Sequence, residues 1–201
     1  MLYFAIGNSL TLHGKCVYWW RECGMAATDE KHDYVHLVTD ALEKKYDTAV
    51  NAKTYNFFAW EQAETRDALL SQLDEFLAQS PDVITVQLGE NVGTDNRATL
   101  EADYVKLLQY IKEKCPAAKL IVLGDFWETD RDDMRRSAAQ TCGVAFADIL
   151  PRVTPDSRAG LYTKVFGDDG EWHVIEHEGV AAHPGDAGMA MIAQTIIEAM
   201  N

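Results

Sequence analysis

Apolar positions along this chain follow two alternating rhythms. Short apolar runs fall at Leu2–Ile6, more weakly around Ala49–Phe57, and at Val83–Leu88, Leu120–Leu123 and Val144–Ile149. Between them, the segments Tyr34–Lys45, Trp60–Leu77, Leu100–Lys114, Asp130–Thr141 and Asp186–Met200 repeat apolar residues every three or four positions. Tyr34, Leu37, Val38, Ala41 and Leu42 share one face of the first such segment. Ala63, Leu70, Leu73 and Leu77 share one face of the second. A period near 2 marks strands and a period near 3.6 marks helices, so the chain reads as a series of β-α units. Short apolar strands separated by helices predict a parallel sheet covered on both faces. The expected fold is an α/β protein, a three-layer α/β/α sandwich of about five parallel strands.

Two long stretches carry neither rhythm. Thr11 to Asp33 follows the first strand and holds Tyr18, Trp19 and Trp20, while Pro151 to His183 follows the last strand and holds Trp172. Loops of that length inside a compact domain are often functional. Equally, their aromatic residues could fill a satellite cluster of the core.

Length and charge narrow the picture. The 201 residues suffice for one domain, 1–201, and no linker or internal repeat divides them. The 47% of apolar residues suits a globular chain. No apolar run reaches the length of a membrane span. Leu2–Ile6 is too short for a secretory leader and has no basic lead-in, so the chain reads by default as cytoplasmic. A formal charge of -14 makes nucleic acid and anionic membrane poor partners. Cys16, Cys23, Cys115 and Cys142 form no C-x-x-C pair and read as structural thiols, with Cys16 and Cys23 close enough in sequence to bridge in an oxidising compartment.

Ligands of an open parallel sheet bind beyond the carboxyl ends of its strands. Gly7-Asn8-Ser9-Leu10-Thr11 follows the first strand, Gly89-Glu90-Asn91 follows the third, and His183-Pro184-Gly185-Asp186-Ala187-Gly188 precedes the last helix. A nucleophile, an oxyanion donor and a base thus share one sheet edge. Singly, each has a plainer explanation: Ser9 or Asp186 as a helix cap, Gly89-Glu90-Asn91 as a turn. Their order and joint placement favour the chemical reading.

These three motifs resemble the conserved blocks of SGNH (GDSL-like) hydrolases, from one end of the chain to the other. The resemblance implies a flavodoxin-like sandwich and a serine esterase that needs no cofactor or metal. Ser9 stands as nucleophile and His183 as base. Asn91 and the Ser9 main-chain N–H stand as oxyanion donors. Beyond a small-molecule ester the resemblance is silent on substrate: the aromatic loop could stack on the sugar ring of an acetylated carbohydrate, or equally line the acyl pocket of a short-chain or lysophospholipid ester.

Three positions depart from the family pattern. Asn8 replaces the usual Asp beside the nucleophile. The second block has no Gly in Asn56-Phe57-Phe58-Ala59-Trp60-Glu61, so Trp60 or Glu61 would supply its N–H. Val180 stands where an Asp often precedes the histidine by three residues. The orienting group for His183 is then a backbone carbonyl near Val180, or else Glu178, with Glu176 further upstream.

Other patterns compete less well. His173-Val174-Ile175-Glu176-His177 has the H-x-x-E-H spacing of a zinc site, but its β-branched residues and flanking glycines argue against the helix such a site needs. His32 and His36 have the right spacing but lack the glutamate beside the first histidine. The rival from a different class is a non-catalytic ligand-binding module on the same fold.

Overall fold

The computed structural model describes residues 1–201. Five parallel strands form the central sheet: β1 (Leu2–Gly7), β2 (Asn51–Asn56), β3 (Val83–Gln87), β4 (Lys119–Leu123) and β5 (Ala145–Ala147), in the order β2-β1-β3-β4-β5. The helices are α1 (Tyr34–Tyr46), α2 (Phe58–Gln62), α3 (Asp74–Leu77), α4 (Leu100–Lys114), α5 (Thr129–Cys142), α6 (Glu178–Ala181) and α7 (Asp186–Ala199). Alternation along β1 sends Phe4 and Ile6 to one face, Tyr3 and Ala5 to the other. The first face packs on α4, α5 and the 66–77 segment through Leu73, Leu77, Tyr104, Leu108 and Ala138. The second packs on α1 and α7 through Val38, Leu42, Ile192 and Ile196. Full burial of each such aliphatic side chain stabilises the fold by roughly 1.5–3 kcal/mol, which makes both layers obligatory. No helix is long and apolar enough to cross a membrane.

The single helix expected over Trp60–Leu77 is broken. Ala63 is extended at φ -74, ψ 138, and Arg66–Leu73 winds as a 3₁₀ helix between α2 and α3. Leu70, Leu73 and Leu77 still face the core, because spacings of three and four residues suit either winding. Arg66 opens the 3₁₀ stretch beyond the break. Its buried guanidinium pairs with Asp103 at 2.7 Å, donates to Thr99, and lies 5.3 Å from the Trp60 ring. A regular helix would carry that side chain elsewhere.

The two irregular loops pack against each other. Trp19, Cys23, Met25, Val165, Ile175 and Val180 form a small third core. The later loop also contains a hairpin, β6 (Lys164–Phe166) with β7 (Trp172–Val174), that the sequence pattern did not reveal. Asp186, at the start of α7, accepts from the Thr28 N–H at 2.8 Å and the Thr28 hydroxyl at 2.7 Å, tying the first loop to the last helix. All four cysteines are free thiols.

Candidate active site

Gly7 ends β1 in register with Asn56 of β2 and Gln87 of β3, so three strand ends meet at one point. A Cβ on Gly7 would lie 1.8 Å from the Thr11 hydroxyl and 2.9 Å from the Gln87 carbonyl, so only glycine fits. The chain then turns sharply, with the Thr11 and Leu12 N–H groups both donating to the Asn8 carbonyl at 3.0 Å. The buried Asn8 side chain accepts from the Leu10 N–H at 3.2 Å and closes the turn from below. Ser9 is left at its apex, half-buried, with its main-chain N–H free of any partner.

Across the cleft, Nε2 of His183 lies 2.9 Å from the Ser9 hydroxyl, and Nδ1 lies 2.6 Å from the Gly179 carbonyl. The helix end explains the second contact. Continued α-winding would have the His183 N–H donate to Gly179, but it donates to Val180 at 3.0 Å instead. That tighter last turn releases the Gly179 oxygen for the imidazole. The orienting carbonyl is therefore that of Gly179, one residue before Val180, whose own oxygen is already engaged. Glu178 is exposed and makes no bond to His183. A carbonyl can only accept, so Nδ1 carries the proton and Nε2 presents its lone pair to Ser9. Trp127 meets the imidazole edge-to-face at 5.5 Å and anchors itself on the Ala182 carbonyl. Burial lowers the pKa of His183 to about 4; the Gly179 bond opposes this, and His13 and His177 add to it.

Asn91 lines the same cleft, its Nδ2 donating to the Glu61 carboxylate at 2.8 Å. Gly89, at φ +120, opens the turn that delivers Asn91, and a Cβ there would lie 2.8 Å from Arg135. The N–H expected from Trp60 is not available. It donates to the Phe57 carbonyl at 2.9 Å, and the whole residue is buried in the core beneath the cleft. Nor does the Glu61 N–H reach the cleft, since the whole residue is buried, with its carboxylate beneath Asn91. Asn56 lines the cleft instead. Asn51 and Phe57 donate to β1, so alternation turns the intervening Asn56 N–H toward the unpaired sheet edge. Asn56, at the end of β2, thus reaches the cleft, whereas Trp60 and Glu61 lie in the helix that follows.

Two hollows meet at Ser9, Asn91 and His183. One, of about 310 Å³, is lined by His13, Tyr18, Met25, Asn56, Phe58 and His177. The other, of about 390 Å³, is lined by Leu10, Glu90, Trp127, Glu128 and Arg131. Tyr18 stacks on His177 at 4.4 Å, and Trp20 stacks on His173 at 4.4 Å. The H-x-x-E-H segment is strand and turn rather than helix: His173 lies in β7 and pairs with Asp169, while His177 caps α6. His36 lies in α1 and pairs with Asp33, whereas His32 pairs with Asp29.

No curated protein matches this sequence. Solved structures match its fold along the full length. A family 3 carbohydrate esterase from Clostridium thermocellum superposes with a TM-score of 0.65 at 14% identity, over 98% of this chain and 93% of that one. TesA gives 0.62 at 16% identity, over 100% and 98%. An acetyl xylan esterase from Geobacillus stearothermophilus gives 0.57 at 19%, over 100% and 94%. At such identities the likeness is one of fold. The family model for GDSL-like lipases and acylhydrolases matches residues 5–191, a span that includes Ser9, Asn91 and His183. The chain belongs to the GDSL-like lipase/acylhydrolase family.

Proposed function

We propose that the protein hydrolyses carboxylic esters through an acyl-enzyme on Ser9. The observation that carries this reading is the chain of contacts from the Ser9 hydroxyl through His183 to the Gly179 carbonyl, at 2.9 and 2.6 Å. His183 Nε2 takes the hydroxyl proton as Oγ attacks the ester carbon. The resulting oxyanion receives the Ser9 N–H and the Asn91 amide, with the Asn56 N–H as a third donor. Collapse expels the alkoxide, which His183 protonates. Water then attacks the acyl carbon as His183 takes its proton, and collapse breaks the bond to Ser9 Oγ, which recovers that proton from His183 as the acid leaves. Every step uses protein groups and water. Because the Gly179 carbonyl can fix the tautomer, Val180 at the usual acid position does not favour a merely ligand-binding role.

The substrate we infer is an acetyl or other short-chain ester of a carbohydrate. Both hollows are open and mixed in polarity, which suits a hydroxylated alcohol group better than a long alkyl chain. Tyr18 and His177 continue from the first hollow into a shallow surface groove with Val17, Trp20, Val174 and Glu176. Aromatic rings beside polar groups are what a sugar ring stacks on. The test is a panel of chromogenic acyl esters of increasing chain length beside acetylated oligosaccharides. The reading expects kcat/KM to fall beyond short acyl chains and acetate to be released from the sugars. Preference for long acyl chains would overturn the carbohydrate assignment.

A further inference from the structure

Beneath the catalytic cleft lies a buried carboxylate that the reaction itself does not consume. Glu61 has no solvent exposure, yet four N–H groups converge on it. Its Oε1 accepts from the Gly89 N–H, from Asn8 Nδ2 at 3.0 Å and from the Asn91 N–H at 3.3 Å. Its Oε2 accepts from Asn91 Nδ2 at 2.8 Å. The neighbouring Gln62 donates to the Asn91 carbonyl at 2.8 Å, so consecutive residues hold both the main chain and the side chain of Asn91.

We infer that Glu61 is a positioning residue, which fixes the Asn91 amide with its nitrogen end toward the reacting carbonyl. The inference rests on the esterase reading of Ser9. The two ends of an asparagine amide are nearly the same size, and only their partners decide which way they point. A flipped amide would aim an oxygen lone pair at the developing oxyanion. A carboxylate can only accept, so it selects the nitrogen end, takes one hydrogen and leaves the other for the substrate.

The surroundings keep Glu61 in place. Asn8 Nδ2 also donates to Glu90 at 2.8 Å, bridging the two buried carboxylates. Glu90 pairs with Arg135 at 2.8 Å, Arg135 with Asp125 at 2.8 Å, and Asp125 with Arg131 at 2.8 Å. Burial and the adjacent Glu90 push the Glu61 carboxyl above its ordinary range, against the pull of the Asn91 amide, the Gly89 N–H and the Asn8 amide. The bridging amide also accounts for Asn8: an Asp there would set a third carboxylate between two others.

The test is Glu61→Gln, which keeps the shape but sets an NH₂ group in the acceptor array. If its nitrogen faces Asn91, that amide must flip. The expected result is a kcat loss of about 10²-fold or more, the cost of an oxyanion donor, with KM changed by less than about 3-fold. In an Asn91→Ala background the same substitution should cost less than about 3-fold, because its target is gone. Equal losses in both backgrounds would overturn the assignment. Should Glu61→Gln melt early, Glu61→Asp, one methylene shorter, should give the same background-dependent loss. The side-chain NH₂ resonances of Asn91, identified by their disappearance in Asn91→Ala, provide a readout without turnover. Two inequivalent protons, one protected from exchange, are expected in the wild type, and solvent-like resonances would contradict the role. A wild-type protein without esterase activity would count against the esterase reading, leaving these resonances to decide on Glu61.

Discussion

The Nδ1 atom of His183 lies 2.6 Å from the main-chain oxygen of Gly179, and no carboxylate bonds to that nitrogen. A carbonyl can hold the ring and select its tautomer, but it brings no full charge to balance the imidazolium that forms during catalysis. The carbonyl therefore performs one of the two tasks that an aspartate would combine. Glu178→Gln tests this directly. Its side chain is exposed and makes no bond to the imidazole, so kcat should stay within about 2-fold of the wild type; loss of a triad carboxylate would cost about 10⁴-fold. Steady-state kinetics on any hydrolysed ester decides between the two.

The same arrangement sets the acid limb of the pH profile. With its pKa lowered to about 4, His183 is a neutral base throughout the range above that value. In free enzyme, kcat/KM should fall as pH drops through about 4 rather than through the ordinary imidazole range near 6.5. The sign is that of a buried base: protonation costs the ring its desolvated neutral form and removes its lone pair from Ser9. A limb centred near 6.5 would mean that the imidazole is better solvated than this geometry implies.

Restoring the family's usual residue beside the nucleophile should harm this chain. Asn8→Asp removes two donors and sets a new charge against Glu61 and Glu90. The expected loss of stability at neutral pH is about 1–3 kcal/mol, the cost of leaving buried polar groups unsatisfied. The deficit should narrow as pH falls, because protonating the added carboxyl removes the charge and restores a donor. Denaturant titrations of both proteins at neutral and acid pH measure it. Equal stability at neutral pH would show that the carboxylates do not depend on the amide.

Much of this was legible in the sequence because it followed local rules. The five strands and the helices α1, α4, α5 and α7 followed the apolar rhythm, and the serine, asparagine and histidine lay where strand ends meet. What escaped the rhythm depended on contacts between distant residues. Where the expected helix breaks, Arg66 pairs with Asp103 in α4, a partner 37 residues away. Glu61 stood in the sequence only as a candidate main-chain donor, and only the fold sets Asn8, Gly89 and Asn91 around its carboxylate. The Gly179 carbonyl has no side-chain signature at all; a tightened helix end exposes it. The β6–β7 hairpin is too short for alternation to register.

The central claim is that Ser9 is the nucleophile and His183 its activating base. A serine-directed phosphonate followed by intact-mass and peptide mass spectrometry tests it most directly. The account predicts a single adduct on Ser9 that grows in step with loss of esterase activity. It also predicts no adduct in Ser9→Ala and a greatly slowed one in His183→Ala, with both variants melting close to the wild type. Continued turnover by a folded Ser9→Ala protein, or inactivation by an adduct on a different residue, would contradict it.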